Sequence, residues 1–379
     1  MKKTLIALAA LAATGAVMAQ SSVTLYGVVD VGFTSVNNSN GTNSLGQAST
    51  DNTGLTSSNM TTNRLGFRGT EDLGGGLKAN FQIETTLAAD APAASSLGDR
   101  GAWVGLSGGF GEVRLGREYS TTFWSGFLFS PFGTGGVGNG FGFANRVVAH
   151  GATGQANPIW NSNSVTYSTP RLSGFQAHAQ YAFDEVAAAG NDAGRSAGLR
   201  LNYTAGPLAA ELAFSKTDGG ATIDSDATTA GNQPSPLLGL ATSADHKSVV
   251  GGVSYDFGVA KLMANFGQEK ANVTATGASI AKVTNFEIGA VAPVGPGRLR
   301  ASYNSTKIEV TGSAAADPKI TKFAVGYIYD LSKRTAVYAT VASLKNKNGA
   351  DLALNGPATL RNAVNGRSTG YNVGISHVF

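Results

Sequence analysis

The stretch Gly370-Tyr371-Asn372-Val373-Gly374-Ile375-Ser376-His377-Val378-Phe379 decides the fold of this chain. Large side chains alternate with small or polar ones at every second residue, and the stretch ends on an aromatic ring. Because successive side chains of a β-strand point to opposite faces, one face of this segment suits lipid and the other suits water. The pattern predicts a strand of a transmembrane β-barrel.

The same alternation recurs along the whole chain. In the segment 23–33, Leu25 and Val29 share one face, and Tyr26 and Asp30 share the other. A sheet can lie in lipid only if it closes on itself, because every backbone group must be paired there. About 360 residues, at roughly 10 per strand plus connections, give about 16 strands and a water-filled lumen. The predicted fold is an all-β, 16-stranded antiparallel transmembrane β-barrel.

The N-terminal segment has the pattern of a secretory signal peptide. Met1-Lys2-Lys3 is a charged start, 4–15 is apolar, and Val17-Met18-Ala19 supplies the small residues of a cleavage site. We therefore predict a signal peptide at 1–19 and a single barrel domain at 20–379. The alternative, a transmembrane anchor, needs about 20 apolar residues and different flanks.

Composition excludes several kinds of function. The chain has no cysteine, which removes thiol catalysis and cysteine-bound metals. Lysine and arginine are scattered singly, without the basic runs that nucleic-acid binding requires, so we predict no nucleic-acid partner. The four histidines show no metal-ligand spacing, and only His377 is predicted to face lipid. We predict no metal, no cofactor and no enzymatic activity.

Four blocks of sequence resemble one known family. They are the opening Ser22-Val23-Thr24-Leu25-Tyr26-Gly27, the block 63–74 (NRLGFRGTEDLG), the run 110–117 (FGEVRLGR) and the terminal Phe379. Together they resemble the general diffusion porins of the neisserial and β-proteobacterial type, over the full mature length. The resemblance implies a homotrimer surrounded by outer-membrane lipid, through which small hydrophilic solutes and ions diffuse passively. It also implies that the third loop, here about Thr121 to Asn157, folds into the pore.

The charges around this loop predict a positive pore constriction. No Asp or Glu occurs from Tyr119 to Phe183, and the turn Ser130-Pro131-Phe132-Gly133 is similar to the family's Pro-Glu-Phe-Gly turn but lacks its glutamate. Alternation points several arginines on the second, fourth and fifth strands toward the lumen, and one more lies in the loop. We therefore predict a modest anion preference. The predicted constriction residues are Arg64, Arg68, Arg100, Arg114, Arg146, Pro131, Phe132 and Gly133.

Other interpretations of the same residues remain open at this point. The arginines could pair with acids on the neighbouring strands and only brace the wall; the candidates are Asp99, Glu84, Glu71 and Glu112. The aromatic residues of the loop could pin it to the wall, or they could line a selective channel for a sugar or an organic acid. A third interpretation is an adhesin or structural barrel whose external loops carry the function.

Overall fold

The computed structural model describes residues 22–44, 46–91, 96–140, 159–184, 194–222, 243–313, 315–357 and 361–379. The first strands are β1 Ser22–Asn38, β2 Asn52–Ser57, β3 Arg64–Gly74, β4 Leu77–Thr86, β5 Gly101–Gly108 and β6 Gly111–Tyr119, followed by helix α1 Thr121–Leu128. The middle strands are β7 Trp160–Ser168, β8 Phe175–Ala182, β9 Ser196–Ala205, β10 Leu208–Thr222 and β11 Ser243–Asp256. The last are β12 Lys261–Val273, β13 Ser279–Val294, β14 Gly297–Val310, β15 Lys319–Asp330, β16 Thr335–Lys347 and β17 Arg367–Val378.

These strands form one closed antiparallel barrel. Each strand from β3 to β16 pairs with the next along the chain, and β1 pairs with both β3 and β17. The short β2 and the longer β3 pair with successive parts of β1, so they are two halves of one interrupted barrel strand. The barrel therefore has 16 strands, which confirms the predicted fold.

Side-chain alternation gives the barrel an apolar outside and a polar inside. On β17, Tyr371, Val373 and Ile375 are exposed on the outer surface, whereas Asn372 and Ser376 are buried on the inner one. Other strands repeat this arrangement, since most large exposed side chains of the barrel are Val, Leu, Ile, Phe or Tyr at alternate positions. A sheet with one lipid-compatible face and one polar face can span a membrane only as a closed barrel.

The first and last strands close the barrel at a seam. β1 pairs with β17 from Val28 opposite Val378 to Asn38 opposite Ser368. At the turn end of the seam, the N–H of Gly27 donates to the carbonyl of Phe379 at 3.2 Å, and the N–H of Phe379 donates back at 3.1 Å. The ring of Phe379 occupies the space that a side chain at position 27 would need. The terminal aromatic residue is therefore part of the closure.

The interruption between β2 and β3 is folded over a buried carboxylate. Asp30 of β1 is fully buried and accepts hydrogen bonds from the backbone N–H groups of Asn59 (3.1 Å), Met60 (3.0 Å) and Thr61 (2.9 Å). The hydroxyl of Tyr338 on β16 donates to the same carboxylate at 2.6 Å. Asp30 therefore replaces the ladder partners that these backbone groups lose where the strand is interrupted.

The long-loop end of the lumen contains an apolar cluster. Inward side chains of β14, β15 and β16, namely Ile308, Ile320 and Leu344, are fully buried there. Leu352 and Leu354, from the segment between β16 and β17, pack into the same cluster. This part of the barrel interior is therefore lined by packed apolar side chains.

A buried ion pair ties the last loop to the first. The guanidinium of Arg361 lies 2.8 Å from the carboxylate of Asp351, and both side chains are almost fully buried. The hydroxyl of Ser44 donates to the same carboxylate at 2.7 Å, and its N–H donates at 3.0 Å. Two external loops are thereby joined through one carboxylate.

Two further points concern the N-terminal segment and membrane-spanning helices. The predicted signal peptide at 1–19 lies outside the described residues. Among the described residues, no helix is both long and apolar enough to cross a membrane.

Candidate pore constriction

The third loop begins with a short helix on the inner side of the wall. β6 ends at Tyr119, and the Ser120 hydroxyl caps α1 by accepting a hydrogen bond from the N–H of Phe123 at 3.3 Å. Ser is a favoured N-cap because its oxygen satisfies one of the N–H groups left free in the first turn. The helix ends at Leu128, after eight residues. It therefore starts the loop along the barrel wall.

Hydrogen bonds attach this loop to three strands of the wall, β10, β12 and β13. The Ser125 hydroxyl donates to Glu211 at 2.9 Å, and the Asn265 amide donates to the carbonyl of Phe129 at 3.1 Å. Further along, the Ser130 hydroxyl donates to Glu287 at 3.1 Å, and Thr121 bonds to the backbone of β10. The loop thus follows the inside of the wall, and this confirms the predicted inward fold of the described part.

The tip of the loop packs under an arginine of β14. Phe132 is only 3% exposed, and the guanidinium of Arg300 lies 4.5 Å from the centre of its ring. Arg300 also donates to the carbonyl of Pro131 at 3.3 Å, and Gly133 turns the chain with a φ of +59°. Pro131 and Phe132 contact the wall at β13–β15.

The aromatic side chains of α1 form a second packed group. The rings of Tyr119 and Phe123 stack at 4.5 Å between centroids, and those of Phe123 and Phe127 stack at 5.6 Å. Trp124 packs edge-on against Tyr119 at 5.0 Å and also faces the lumen. Phe141 and Phe143 lie outside the described residues. Most of the described rings of the loop therefore pack against the wall and are not exposed to the lumen.

Four of the predicted arginines surround one recess of the lumen. The recess has a volume of about 360 Å³, and Trp124 of the loop also lines it. The arginines are those of β3, β6 and the residue before β5, namely Arg64, Arg68, Arg100 and Arg114. The fifth predicted arginine, Arg146, lies outside the described residues.

Acidic side chains offset part of this positive charge. Arg100 is buried, with its Nε 2.8 Å from Glu84, and its guanidinium donates to the Tyr119 hydroxyl at 2.5 Å. Arg64 shares the same carboxylate at 3.9 Å. One carboxylate of β4 therefore faces two guanidiniums.

Arg114 and Arg68 differ in the number of acidic side chains beside them. Arg114 lies between Glu112 at 2.6 Å and Glu118 at 3.3 Å, with its guanidinium over the ring of Trp103. Arg68 is exposed and stacks over the ring of Tyr26 at 5.1 Å. Within the described part of the chain, Arg68 forms no ion pair. Four guanidiniums therefore meet three carboxylates, which leaves one net positive charge, nearest to Arg68.

Comparison with known proteins identifies the family. A family described as Gram-negative porin matches residues 4–349 of the chain. Outer membrane porin protein 32 of Delftia acidovorans is 40% identical over 384 residues, and the match covers 100% of both chains. The chain belongs to the Gram-negative porins. This porin is therefore a channel protein of the bacterial outer membrane.

Further relatives and solved structures agree with this assignment. An outer membrane porin protein of Bordetella pertussis is 32% identical over 411 residues and is matched along 100% of both chains. A solved structure of an anion-selective porin from Comamonas acidovorans is 36% identical, with a TM-score of 0.78 over 95% of this chain and 100% of that one. The OmpT structure of Vibrio cholerae, at 16% identity and a TM-score of 0.65 over 95% of this chain and 99% of that one, shares the fold.

Several charged residues of the porin lumen did not enter the sequence-based site. Arg200 on β9 lies 3.3 Å from Glu211, and its guanidinium bonds His178 at 2.9 Å. Arg300 on β14 donates a hydrogen bond to the loop tip. Glu118 pairs with Arg114, which the sequence analysis did not predict. Alternation alone predicts that Arg200 and Arg300 face the lumen, because each follows an outward leucine by one residue.

The structure also bears on the metal prediction. Within the described ranges, no three His, Asp or Glu side chains are grouped so that they could hold a metal ion. Three of the four histidines lie in these ranges. His178 bonds Ser168, His246 is buried beside Glu269, and His377 bonds Thr335 on the outer face.

Proposed function

We propose that this porin lets small hydrophilic solutes and ions diffuse passively, with a modest preference for anions, through a constriction between Trp124 and the arginines of β3–β6. The observation that carries the proposal is Arg68, which faces the lumen without an ion pair among the described residues. At about 5 Å, with an effective dielectric of roughly 20–80, one unopposed charge stabilises an anion by about 1–3 kcal/mol.

Two further observations support an anion preference. The sequence has no acidic residue from Tyr119 to Phe183, so the third loop adds no carboxylate opposite the arginines. The anion-selective porin from Comamonas acidovorans is 36% identical to this chain and covers nearly all of it.

The test is the reversal potential of the purified porin in a planar bilayer under a tenfold KCl gradient. We expect a potential that favours chloride, and Arg68→Gln should move it most of the way to the non-selective value. Lys333→Gln removes the same charge from an exposed turn and should leave the potential unchanged. A wild-type potential that favours potassium would contradict the proposal.

A selective channel for a sugar or an organic acid is the second candidate. Trp124 favours it, because this ring faces the recess beside guanidinium groups. Phe123, Phe129 and Phe132 oppose it, because they are buried against the wall and offer no continuous row of stacking faces. Flux of a single sugar or acid that saturates with concentration would favour the selective channel; flux proportional to concentration favours passive diffusion.

We also propose that the porin acts as a homotrimer and has no enzymatic activity. Strands β5 and β8 have only eight residues each, whereas β10 to β17 have 12–16. Eight residues are fewer than the 9–11 that a tilted strand needs to cross a bilayer, so a neighbouring subunit would cover this shorter wall. Cross-linking of the protein in native membranes tests the trimer; conductance steps in groups of three would agree.

The proposed domain division also includes removal of residues 1–19 on export. Its basis is the sequence pattern of a charged start, an apolar stretch and small residues before Gln20. N-terminal sequencing of the protein from outer membranes tests it directly: the mature chain should begin at Gln20.

A further inference from the structure

Four side chains form one row across neighbouring strands on the inner face of the barrel. Each lies directly opposite the next on strands β1, β3, β4 and β5, and the four are Thr24, Arg68, Gln82 and Trp103. Alternation directs all of them to the lumen, because the residues on either side of each one point outward. Neighbouring strands are about 4.8 Å apart, so the row is about 14 Å long. We call these four residues the lumenal row.

The lumenal row lines a second recess of the lumen. This recess has a volume of about 400 Å³, within the range of about 300–1,000 Å³ that is usual for small-molecule sites. It shares Arg68, Gln82 and Trp103 with the recess that the arginines of β3–β6 surround. Thr70 and Ser107 also line it, near the short turns that follow β3 and β5. A solute that moves from the arginines toward the short turns therefore passes the row.

The polar groups of the row are open, whereas the rows on either side of it are satisfied by protein partners. On the loop side, the hydroxyl of Tyr26 donates to Glu84 at 3.0 Å. On the turn side, the amide of Asn80 accepts from Thr70 at 3.0 Å and donates to Ser107 at 2.9 Å. Within the part of the chain that the structure describes, the side chains of the lumenal row form no hydrogen bond or ion pair. The row can therefore bind a solute without breaking a bond inside the protein.

The open groups combine one cation, several hydrogen-bond donors and an apolar surface. The guanidinium of Arg68 is a fork of N–H groups that fits a carboxylate, and the amide of Gln82 both donates and accepts. The indole of Trp103 has an N–H donor beside a flat apolar ring. Arg114 lies over this ring at 4.4 Å, and the half-buried indole still borders the recess. Such a set suits a sugar ring, which has apolar C–H faces and hydroxyl groups around its edge.

The charge of the recess fits a solute with a single negative group. Glu112 also lines the recess, but its carboxylate pairs with Arg114 at 2.6 Å. Among the described residues that line this recess, Arg68 is the cation that remains to balance a solute. A carboxylate carries one charge, whereas a phosphate monoester carries about −1.5 to −2 at pH 7 and would exceed it.

We propose that the lumenal row is a weak binding site for a hexuronate, a sugar ring that carries one carboxylate. The carboxylate lies at Arg68, the ring hydroxyls bond Gln82 and Thr24, and a C–H face of the ring packs on Trp103. The site rests on the proposed function, because the hexuronate reaches it by passive diffusion through the same pore. It retains this solute briefly and leaves the pore open to others.

The test measures how added solutes change the ion current through single channels of the mature porin in a planar bilayer with constant KCl. The probes are glucuronate, glucose, which has the ring without the carboxylate, and acetate, which has the carboxylate without the ring. Loss of one hydrogen bond corresponds to about a 2- to 12-fold change in affinity. From the current fluctuations, we expect glucuronate to bind at least about fivefold more tightly than glucose or acetate.

Variants of the row separate recognition of the ring from attraction of the charge. Gln82→Leu and Trp103→Leu should each weaken glucuronate binding at least about twofold, while the weak response to acetate stays the same. Gln176→Leu makes the same change as Gln82→Leu on β8, another wall of the lumen, and should leave glucuronate binding unchanged. Heat-modifiability gels show that each variant folds. If Trp103→Leu does not fold, Gln82→Leu alone supplies the comparison.

The reversal potential in KCl distinguishes a failure of this site from a failure of the proposed function. A wild type that favours chloride but binds glucuronate no better than acetate would overturn the site and leave the anion preference standing. Equal glucuronate binding by the wild type and the Gln82→Leu variant would also overturn it, as would tighter binding of glucose 6-phosphate. A wild type that favours potassium yet binds glucuronate most tightly would support the site and contradict the anion preference alone.

Discussion

The guanidinium of Arg300 lies 4.5 Å from the ring centre of Phe132 and couples the tip of the third loop to strand β14. The same guanidinium donates to the carbonyl of Pro131, so the arginine holds both the ring and the backbone of the tip. A cation–π contact of a desolvated arginine is worth about 2 kcal/mol. The position of the loop in the lumen therefore depends on a residue that lies far from it in sequence.

Replacing the ring tests this attachment. Phe132→Ala should release the tip and make single-channel conductance noisier and more variable between channels, because truncation of a buried Phe costs about 3–5 kcal/mol. Phe33→Ala, on the exposed outer face of β1, is the control and should leave the recordings unchanged. Wild-type noise in the Phe132 variant would show that the other loop contacts suffice.

Reversing charge on the arginine wall should reverse ion selectivity. Arg64→Glu together with Arg68→Glu changes the charge of the recess from positive to negative, so the reversal potential under a KCl gradient should move toward potassium. Arg298→Glu, at the turn end of β14, is the control for charge reversal outside the recess. An unchanged potential in the double variant would show that the two side chains lie outside the conduction path.

The anion preference should weaken as salt rises. The screening length is about 30 Å at 0.01 M salt, about 10 Å at 0.1 M and about 3 Å at 1 M. Because Arg68 acts on ions across an aqueous recess, the chloride-to-potassium permeability ratio should fall toward one when the same tenfold gradient is measured at higher concentrations. A ratio that is independent of salt would point to selection by size.

Removing the charge of Asp30 should destabilise the barrel. Its carboxylate accepts four hydrogen bonds, and bonds to a charged group contribute about 1.5–3 kcal/mol each. On that basis Asp30→Asn should lower stability by at least about 3 kcal/mol, seen as unfolding at a lower temperature in heat-modifiability gels. Asp317→Asn, at an exposed ion pair with Lys307, should have little effect.

Alternation in the sequence predicted the barrel. It also predicted whether most side chains point to lipid or to the lumen, because burial on one side of a strand repeats every two residues. It did not predict the interruption before β3, since the cause of that interruption is a carboxylate on another strand, Asp30. It also missed the pairing of Arg114 with Glu118. Both residues have the same parity on β6, so alternation places them on one face, but it does not tell which side chains of that face reach each other.

The contacts of the loop tip are a second feature that the sequence did not predict. Pro131, Phe132 and Gly133 were grouped with the arginines because all of them were assigned to one constriction. The structure places Pro131 and Phe132 against Gly289, Arg300 and Gly326 on β13–β15. Contacts of this kind join residues that are far apart in the chain, and no local pattern encodes them.

The seam at Gly27 and Phe379 has a consequence for biogenesis. Nearly the whole chain separates these two residues, and their paired hydrogen bonds form only when both ends are in place. Loop closure over such a distance is slow, and until it happens β1 presents an unpaired edge. Until the last strand arrives, this edge of β1 is open to pairing with other chains.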